Sequence, residues 1–150
     1  MQNRTAARVV LLDGAGQVAI IHVRKYGYYK IPGGGTEPNE DLVAAAQRET
    51  YEESGCKCTI IAQLGRIITN LPDWSMRDIS EGFLGKVTQK GIPHLEQFEQ
   101  ERDFTLEWFS DLDFAITKIK ANHVLEPNAA KIQARDLAFL EMAKQYLAKL

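Results

Sequence analysis

Three glutamates, Glu49, Glu52 and Glu53, stand at i, i+3 and i+4, a spacing that a helix turns into one acidic face. Three clustered like charges repel. Glu52 and Glu53 also fall near the end of their helix, where the macrodipole disfavours negative charge. A hard divalent cation removes that penalty, and carboxylates without histidine or thiolate partners suit Mg²⁺ or Mn²⁺, ions that bridge to substrate phosphates. The plainer alternative is a solvated acidic face eased by Arg48 and nearby lysines, and the triplet alone does not exclude it.

Those acids need a helix, and the sequence bounds one. Thr36-Glu-Pro-Asn39 provides proline and an N-cap candidate, while Leu42, Val43, Ala45, Ala46 and Thr50 form an apolar stripe that stops at Gly55. The helix is expected from about Asn39 to Ser54. Before it, Arg8–Asp13 and Val18–Val23 predict two strands joined as a hairpin, and Tyr28–Ile31 a short third strand stopped by Pro32 and released into Gly33-Gly34-Gly35. After it, strands are expected at 57–68, 79–87 and 105–109, with long loops at Asn70–Met76 and Thr88–Asp103 that are free to contact substrate. Asp111 caps a short helix to about Lys120, and Asn128–Leu150 carries Ile132, Leu137, Leu140, Ala143 and Leu147 at helical spacing. The order of elements predicts one α/β/α body over residues 1–150.

The segment from Gly34 to Cys56 fits the pattern G-x5-E-x7-R-E-U-x-E-E-x-G-U, with Gly34, Glu40, Arg48, Glu49, Glu52, Glu53 and Gly55 at the fixed positions. It resembles the signature of the Nudix hydrolases, the MutT-like family. Thr50 and Cys56 depart from it, standing where bulky aliphatic residues are usual. The box spans under a sixth of the chain, and Tyr29-Lys-Ile-Pro-Gly-Gly and Glu107-Trp-Phe-Ser110 also look like family segments.

The resemblance implies an α/β/α sandwich with a mixed central sheet and a loop-helix-loop catalytic motif. It implies a Mg²⁺-dependent hydrolase (Mn²⁺ also fits) that cleaves a diphosphate linkage in a nucleoside diphosphate derivative. The alternative is a catalytically silent nucleotide-binding module of the same fold. Carried onto this chain, Glu49, Glu52 and Glu53 are metal ligands or the base, the Gly33 carbonyl is a further ligand, and Arg48 orients a neighbouring glutamate. A later acid often completes such sites; Glu96, Glu99 and Glu101 stand in that region and the sequence does not choose among them.

Arg24, Lys25 and Lys30 flank the third strand and are candidates to meet phosphates, though solvated cations fit as well. Tyr26, Tyr28 and Trp74 are candidates to stack on a base, against the commoner packing role. Glu40, at the helix start, reads equally well as structural. Pro72 sits near a position that accompanies ADP-ribose-type substrates in some branches, but a turn explains it too. His22, His94 and His123 form no ligand set, and Cys56 and Cys58 read as buried small residues.

Composition bounds the partners. A net charge of −2 over 150 residues gives no electrostatic reason to expect DNA or an acidic membrane. The expected partner is a small nucleotide-like molecule, and a homodimer is compatible with the implied fold. Met1–Ala7 is polar and no apolar run is long enough to span a bilayer, so a cytoplasmic enzyme is the expectation.

Overall fold

In the computed structural model, which describes residues 1–150, the chain runs β1 (Gln2–Leu12), β2 (Val18–Val23), β3 (Tyr28–Lys30), β4 (Gly33–Gly35), α1 (Leu42–Ser54), β5 (Lys57–Leu71), β6 (Met76–Gln89), α2 (Gln97–Glu101), β7 (Phe104–Phe109), α3 (Leu112–Lys120) and α4 (Pro127–Ala148). The sheet follows the order β3-β2-β1-β6-β5, with β4 paired to β1 and β7 to β2. The pairing of β1 with β6 is parallel, from Gln2↔Met76 to Leu12↔Lys86, and the other pairings are antiparallel. The expected mixed sheet is thus present.

β1 explains the layering. Val9, Val10 and Leu11 are all fully buried, and alternate residues of a strand point to opposite faces. Ala7, Val9 and Leu11 pack with Ala45 and Ala46 of α1. Val10 packs on the other side with Ile116 and Ile119 of α3 and Phe139, Leu140 and Ala143 of α4. A strand covered on both faces reads as a continuous apolar run, which is what the sequence shows. The two alanines of α1 let its backbone lie close to the sheet, which sets how near its acidic face comes to β4.

Several boundaries differ from expectation, each for a local reason. Asn39 is in the left-handed region at φ 62 and does not cap α1. Asp41 does, accepting the Ala44 N–H at 2.7 Å, so the helix starts at Leu42. The β1–β2 hairpin shares only Leu12↔Val18 before the strands part, because β6 and β4 pair with β1 while β3 and β7 pair with β2. A turn signal fixes the reversal of the chain but not its later partners. The expected loop at Asn70–Met76 shrinks to a single 3₁₀ turn at Pro72–Trp74, because β5 and β6 extend through it as one long hairpin. The expected loop at Thr88–Asp103 contains α2, which is closed by a reciprocal capping box between Glu96 and Glu99. Gly33–Gly35, read as a released loop, is a short strand.

Asp111 caps α3 as expected, through the Phe114 N–H at 2.7 Å. Glu126 caps α4, accepting from Asn128 and Ala129 at 3.0 and 2.6 Å. α4 also satisfies the edge of the sheet: Gln133 accepts the Tyr29 N–H at 3.1 Å and Asp136 the Ile31 N–H at 3.0 Å, pairing backbone donors that would otherwise be stranded in the interior. Cys56 and Cys58 are buried free thiols, and burial pushes Cys58 up to about 11, outside the reactive range. No helix is long and apolar enough to cross a membrane.

Candidate active site

α1 is terminated by Gly55, which takes φ 75 and donates its N–H to Tyr51 O at 2.8 Å, a conformation open to glycine at little cost. A side chain there would also strike the backbone of Gly91 and Ile92. The 90–96 segment therefore docks on the end of the helix, secured by His94 N–H to Glu52 O at 2.6 Å and by the stacking of His94 on Tyr51, with centroids 5.1 Å apart. The segment leads into α2, whose Glu99 comes within hydrogen-bonding reach of Glu53.

On the other side of α1, β4 lies along β1 in the register Ala6↔Gly35, Ala7↔Gly34 and Arg8↔Gly33. The Glu49 carboxylate rests on Gly34: a Cβ at that glycine would stand 2.6 Å from Glu49 Cδ. Glu53 is buried, its Oε1 accepting Lys30 Nζ at 2.8 Å and Gly33 N–H at 3.0 Å. Lys30 Nζ also donates to the Gly33 carbonyl at 3.3 Å. Glu49, Glu53, Glu99, Lys30 and Arg48 line one cavity of about 330 Å³.

Arg48 organises the acids. Its Nε and Nη2 donate to the two oxygens of Glu40 at 2.8 and 2.9 Å, a fork that fixes the guanidinium plane. Nη2 also reaches Gly35 O at 3.0 Å, and Nη1 reaches Glu49 at 3.0 Å and Glu52 at 3.4 Å. The hydrogen bonds from Arg48 hold the Glu40 carboxyl at about 2. Glu40 is thus an anchor for Arg48, which is its partner in place of the helix amides.

The electrostatics match a crowd of acids. Burial, then the neighbouring Glu53 and Glu52, pushes Glu49 up. Burial, then the hydrogen bond with Glu53, pushes Glu99 up to about 8. The donor set is oxygen only, which suits a hard divalent cation. In this conformation no three carboxylate, imidazole or thiol groups converge closely enough to hold an ion; Arg48 engages Glu49 and Lys30 engages Glu53.

The structure brings Glu49, Glu53, Arg48, Gly33, Lys30 and Trp74 to this cavity. It does not bring Glu52 into the cavity lining, and Glu52 turns to Arg48 instead. Arg24 also lies elsewhere, exposed and paired with Asp103 at 3.4 Å. Of the three later acids, Glu96 and Glu99 line the cavity and Glu101 does not; Glu99 is the buried one. Sequence reasoning missed Arg4, Arg8, Arg102 and Arg135, which also line the cavity. Arg8 and Arg135 are buried and share Asp78, each at 3.2 Å. The available signal was parity, since Arg8 sits two residues before Val10 on a face that must be buried.

The NUDIX domain model matches residues 2–126 of the chain. An RNA pyrophosphohydrolase of Bradyrhizobium diazoefficiens is 33% identical over 90 residues, which is 55% of this chain and 50% of that protein. One of Rhodopseudomonas palustris is 32% identical over 90 residues, with the same shares of 55% and 50%. The chain thus spans about half the length of the curated relatives it matches. Among solved structures, a NUDIX hydrolase from Nitrosomonas europaea superposes with TM-score 0.68 at 18% identity, over 99% of this chain and 90% of that one. A Caenorhabditis elegans Ap4A hydrolase binary complex gives TM-score 0.68 at 18% identity, over 98% and 99%. At such identities these two describe the fold.

Proposed function

Because this chain belongs to the NUDIX domain family, we propose that it is a Mg²⁺-dependent hydrolase that cleaves a diphosphate linkage in a nucleoside diphosphate derivative. The observation that carries this reading is the meeting of Glu49, Glu53 and Glu99 with Arg48 and Lys30 around one cavity. Glu49, Glu53 and Glu99, with the Gly33 carbonyl, are the groups that would hold the cation. When bound, it supplies charge neutralisation at the phosphoryl oxygens and a lowered pKa for water.

The remaining work falls to the chain. Arg48 holds Glu49 against Gly34 and ties β4 to α1 through Gly35 O. Lys30 neutralises buried Glu53 and steadies the Gly33 carbonyl, so the backbone and side-chain oxygens keep one geometry. Arg4, over Gly35, and Arg102 make no ion pair and are free to meet the phosphates. Water adds to one phosphorus, a carboxylate of the cluster takes its proton, and the bridging P–O bond breaks to release the second phosphate. No covalent protein intermediate is required.

A silent binding module is favoured by one observation, the engagement of Glu49 and Glu53 by cations. The relatives are named RNA pyrophosphohydrolases, which adds RNA as a candidate substrate that the net charge alone did not suggest. Nucleoside triphosphates, nucleotide sugars, ADP-ribose, dinucleoside polyphosphates and an RNA oligonucleotide with a 5′ triphosphate, each with Mg²⁺ or with EDTA, test these readings through product masses. Cleavage of an anhydride that EDTA abolishes is expected. Binding without cleavage would leave the silent module, and cleavage indifferent to EDTA would overturn the metal assignment.

A further inference from the structure

Tyr28 is only 5% exposed, and its ring packs with Ile21, Val23, Ala129 and Ile132, so too little of it is open for a base to stack on. Its hydroxyl behaves differently. No protein group hydrogen-bonds it, yet it is not sealed in, because Thr50 Oγ1 is the only buried side-chain oxygen or nitrogen that lacks both a partner and contact with solvent. The Tyr28 hydroxyl therefore opens on the cavity whose wall the residue forms. An unpaired polar group held among apolar side chains is costly until a ligand or water pairs with it.

The cavity of about 330 Å³ runs into a smaller cleft of about 190 Å³, and Tyr28, Trp74, Arg102 and Ile132 belong to both. This junction holds a cation and a hydroxyl but no acid. Arg102 forms no ion pair and rests on Phe98, 5.3 Å from the ring centroid, and it acts on the Tyr28 hydroxyl more strongly than any other charge. Burial pushes that hydroxyl up to about 12 despite Arg102, so it stays protonated and donates at any working pH. Glu53 is also among the charges it feels, which places the junction beside the acids.

We propose that the Tyr28 hydroxyl and the Arg102 guanidinium together grip the phosphate of the anhydride that is not attacked. The proposal rests on the reading that the cavity cleaves a diphosphate: its acidic end takes the attacked phosphoryl group, and the acid-free junction takes the neighbouring one. Two donors without a carboxylate suit an anionic oxygen. The oxygen of water bonds to the attacked phosphorus, its proton passes to a carboxylate of the cluster, and the electron pair of the breaking P–O bond stays on the departing phosphate. Negative charge therefore grows at the junction, where a donor already fixed by core packing stabilises the transition state more than the ground state. Tyr28 keeps its proton throughout and supplies a hydrogen bond only.

Tyr28→Phe removes one oxygen that has no partner in the free protein, so thermal unfolding in EDTA is expected at the parent temperature or above it. A clear drop would make the hydroxyl a structural donor and overturn the proposal. Binding is read by calorimetric titration of methylenediphosphonate, a diphosphate whose bridge water does not cleave, into the whole protein with the same Mg²⁺ in cell and syringe. The parent is expected to bind it, and Tyr28→Phe and Arg102→Gln each to bind about tenfold more weakly, the value of one hydrogen bond to a charged group. The double variant is expected to lose less than the product of the two, since both side chains hold one phosphate. On the anhydride that the parent cleaves fastest, kcat/KM of Tyr28→Phe is expected to fall by more than about tenfold, because the charge on the departing phosphate grows. No binding by the parent, an unchanged affinity in Tyr28→Phe, or losses that multiply in the double variant overturn the proposal. Hydrolysis that Tyr28→Phe leaves at the parent rate overturns this inference alone, whereas the expected binding losses without hydrolysis of any anhydride support the grip and overturn the enzymatic reading.

Discussion

Replacing Gly34 with alanine puts a methyl carbon 2.6 Å from Glu49 Cδ, with both carboxylate oxygens at 2.6 and 2.7 Å. Carbon atoms in contact prefer about 3.5–4.0 Å, so the overlap is about 1 Å and the carboxylate must swing away by that much. The strained atoms are the end of a flexible side chain, and no backbone atom is among the nearest contacts at Gly34. The fold should absorb the change, with stability within about 1 kcal/mol of the parent, because alanine also narrows the unfolded ensemble. Activity should not. A displacement of about 1 Å in a positioning group costs on the order of 100-fold in rate, equivalent to about 2.7 kcal/mol. The assay is kcat and KM at saturating Mg²⁺ beside thermal unfolding in EDTA, with Gly33→Ala as the contrast. A Cβ at Gly33 would collide with the Ala7 carbonyl and the Arg8 Cα of the neighbouring strand, so that variant should lose stability by several kcal/mol. If Gly34→Ala keeps turnover within threefold of the parent while folded, the contact between Glu49 and β4 does not set the site's geometry.

Glu53→Gln should abolish most turnover and also lower stability by about 3 kcal/mol, because it strands the buried Lys30 ammonium that Glu53 now accepts at 2.8 Å. Adding Lys30→Met should restore the melting temperature without restoring activity; equal melting temperatures for the single and double variants would contradict the pairing. Arg48→Lys keeps the charge but loses the two-pronged contact with Glu40, so kcat should fall about tenfold or more with little change in KM. An unchanged kcat would show that Arg48 does not orient Glu49. Burial alone would raise Asp78, but Arg8 and Arg135 outweigh it and hold its carboxyl below the ordinary aspartate value. A folded-state pKa below the unfolded one means that the stability it contributes is present above about pH 4 and is lost as pH falls through the folded value. Urea midpoints of the parent and Asp78→Asn should therefore differ at pH 7 and converge towards pH 2; a constant gap would refute the ionic role.

How much was legible follows the range of the interactions. The helix of Glu49, Glu52 and Glu53 and its stop at Gly55 were readable because spacing along a helix and a left-handed terminus are local properties. The start was misjudged because Asn39 and Asp41 are both competent caps, and the turn between them chose. The burial of both faces of β1 was implied by its unbroken apolar run. Its partner β6, parallel and far along the chain, was not, since no local pattern specifies a parallel neighbour.

Within the site, the sequence by itself determined the chemistry: oxygen donors on one helix, a glycine-rich approach before it and an arginine beside it. Only the tertiary structure decided which acids share the cavity. It turned Glu52 towards Arg48, brought Glu96 and the buried Glu99 but not Glu101 to the cavity, and moved Arg24 away to Asp103. It also brought Arg8 and Arg135, residues far apart in the chain, onto a single buried Asp78. The physical reason is that residue type sets what a group can do, whereas charge pairing and burial across distant strands set where it is held.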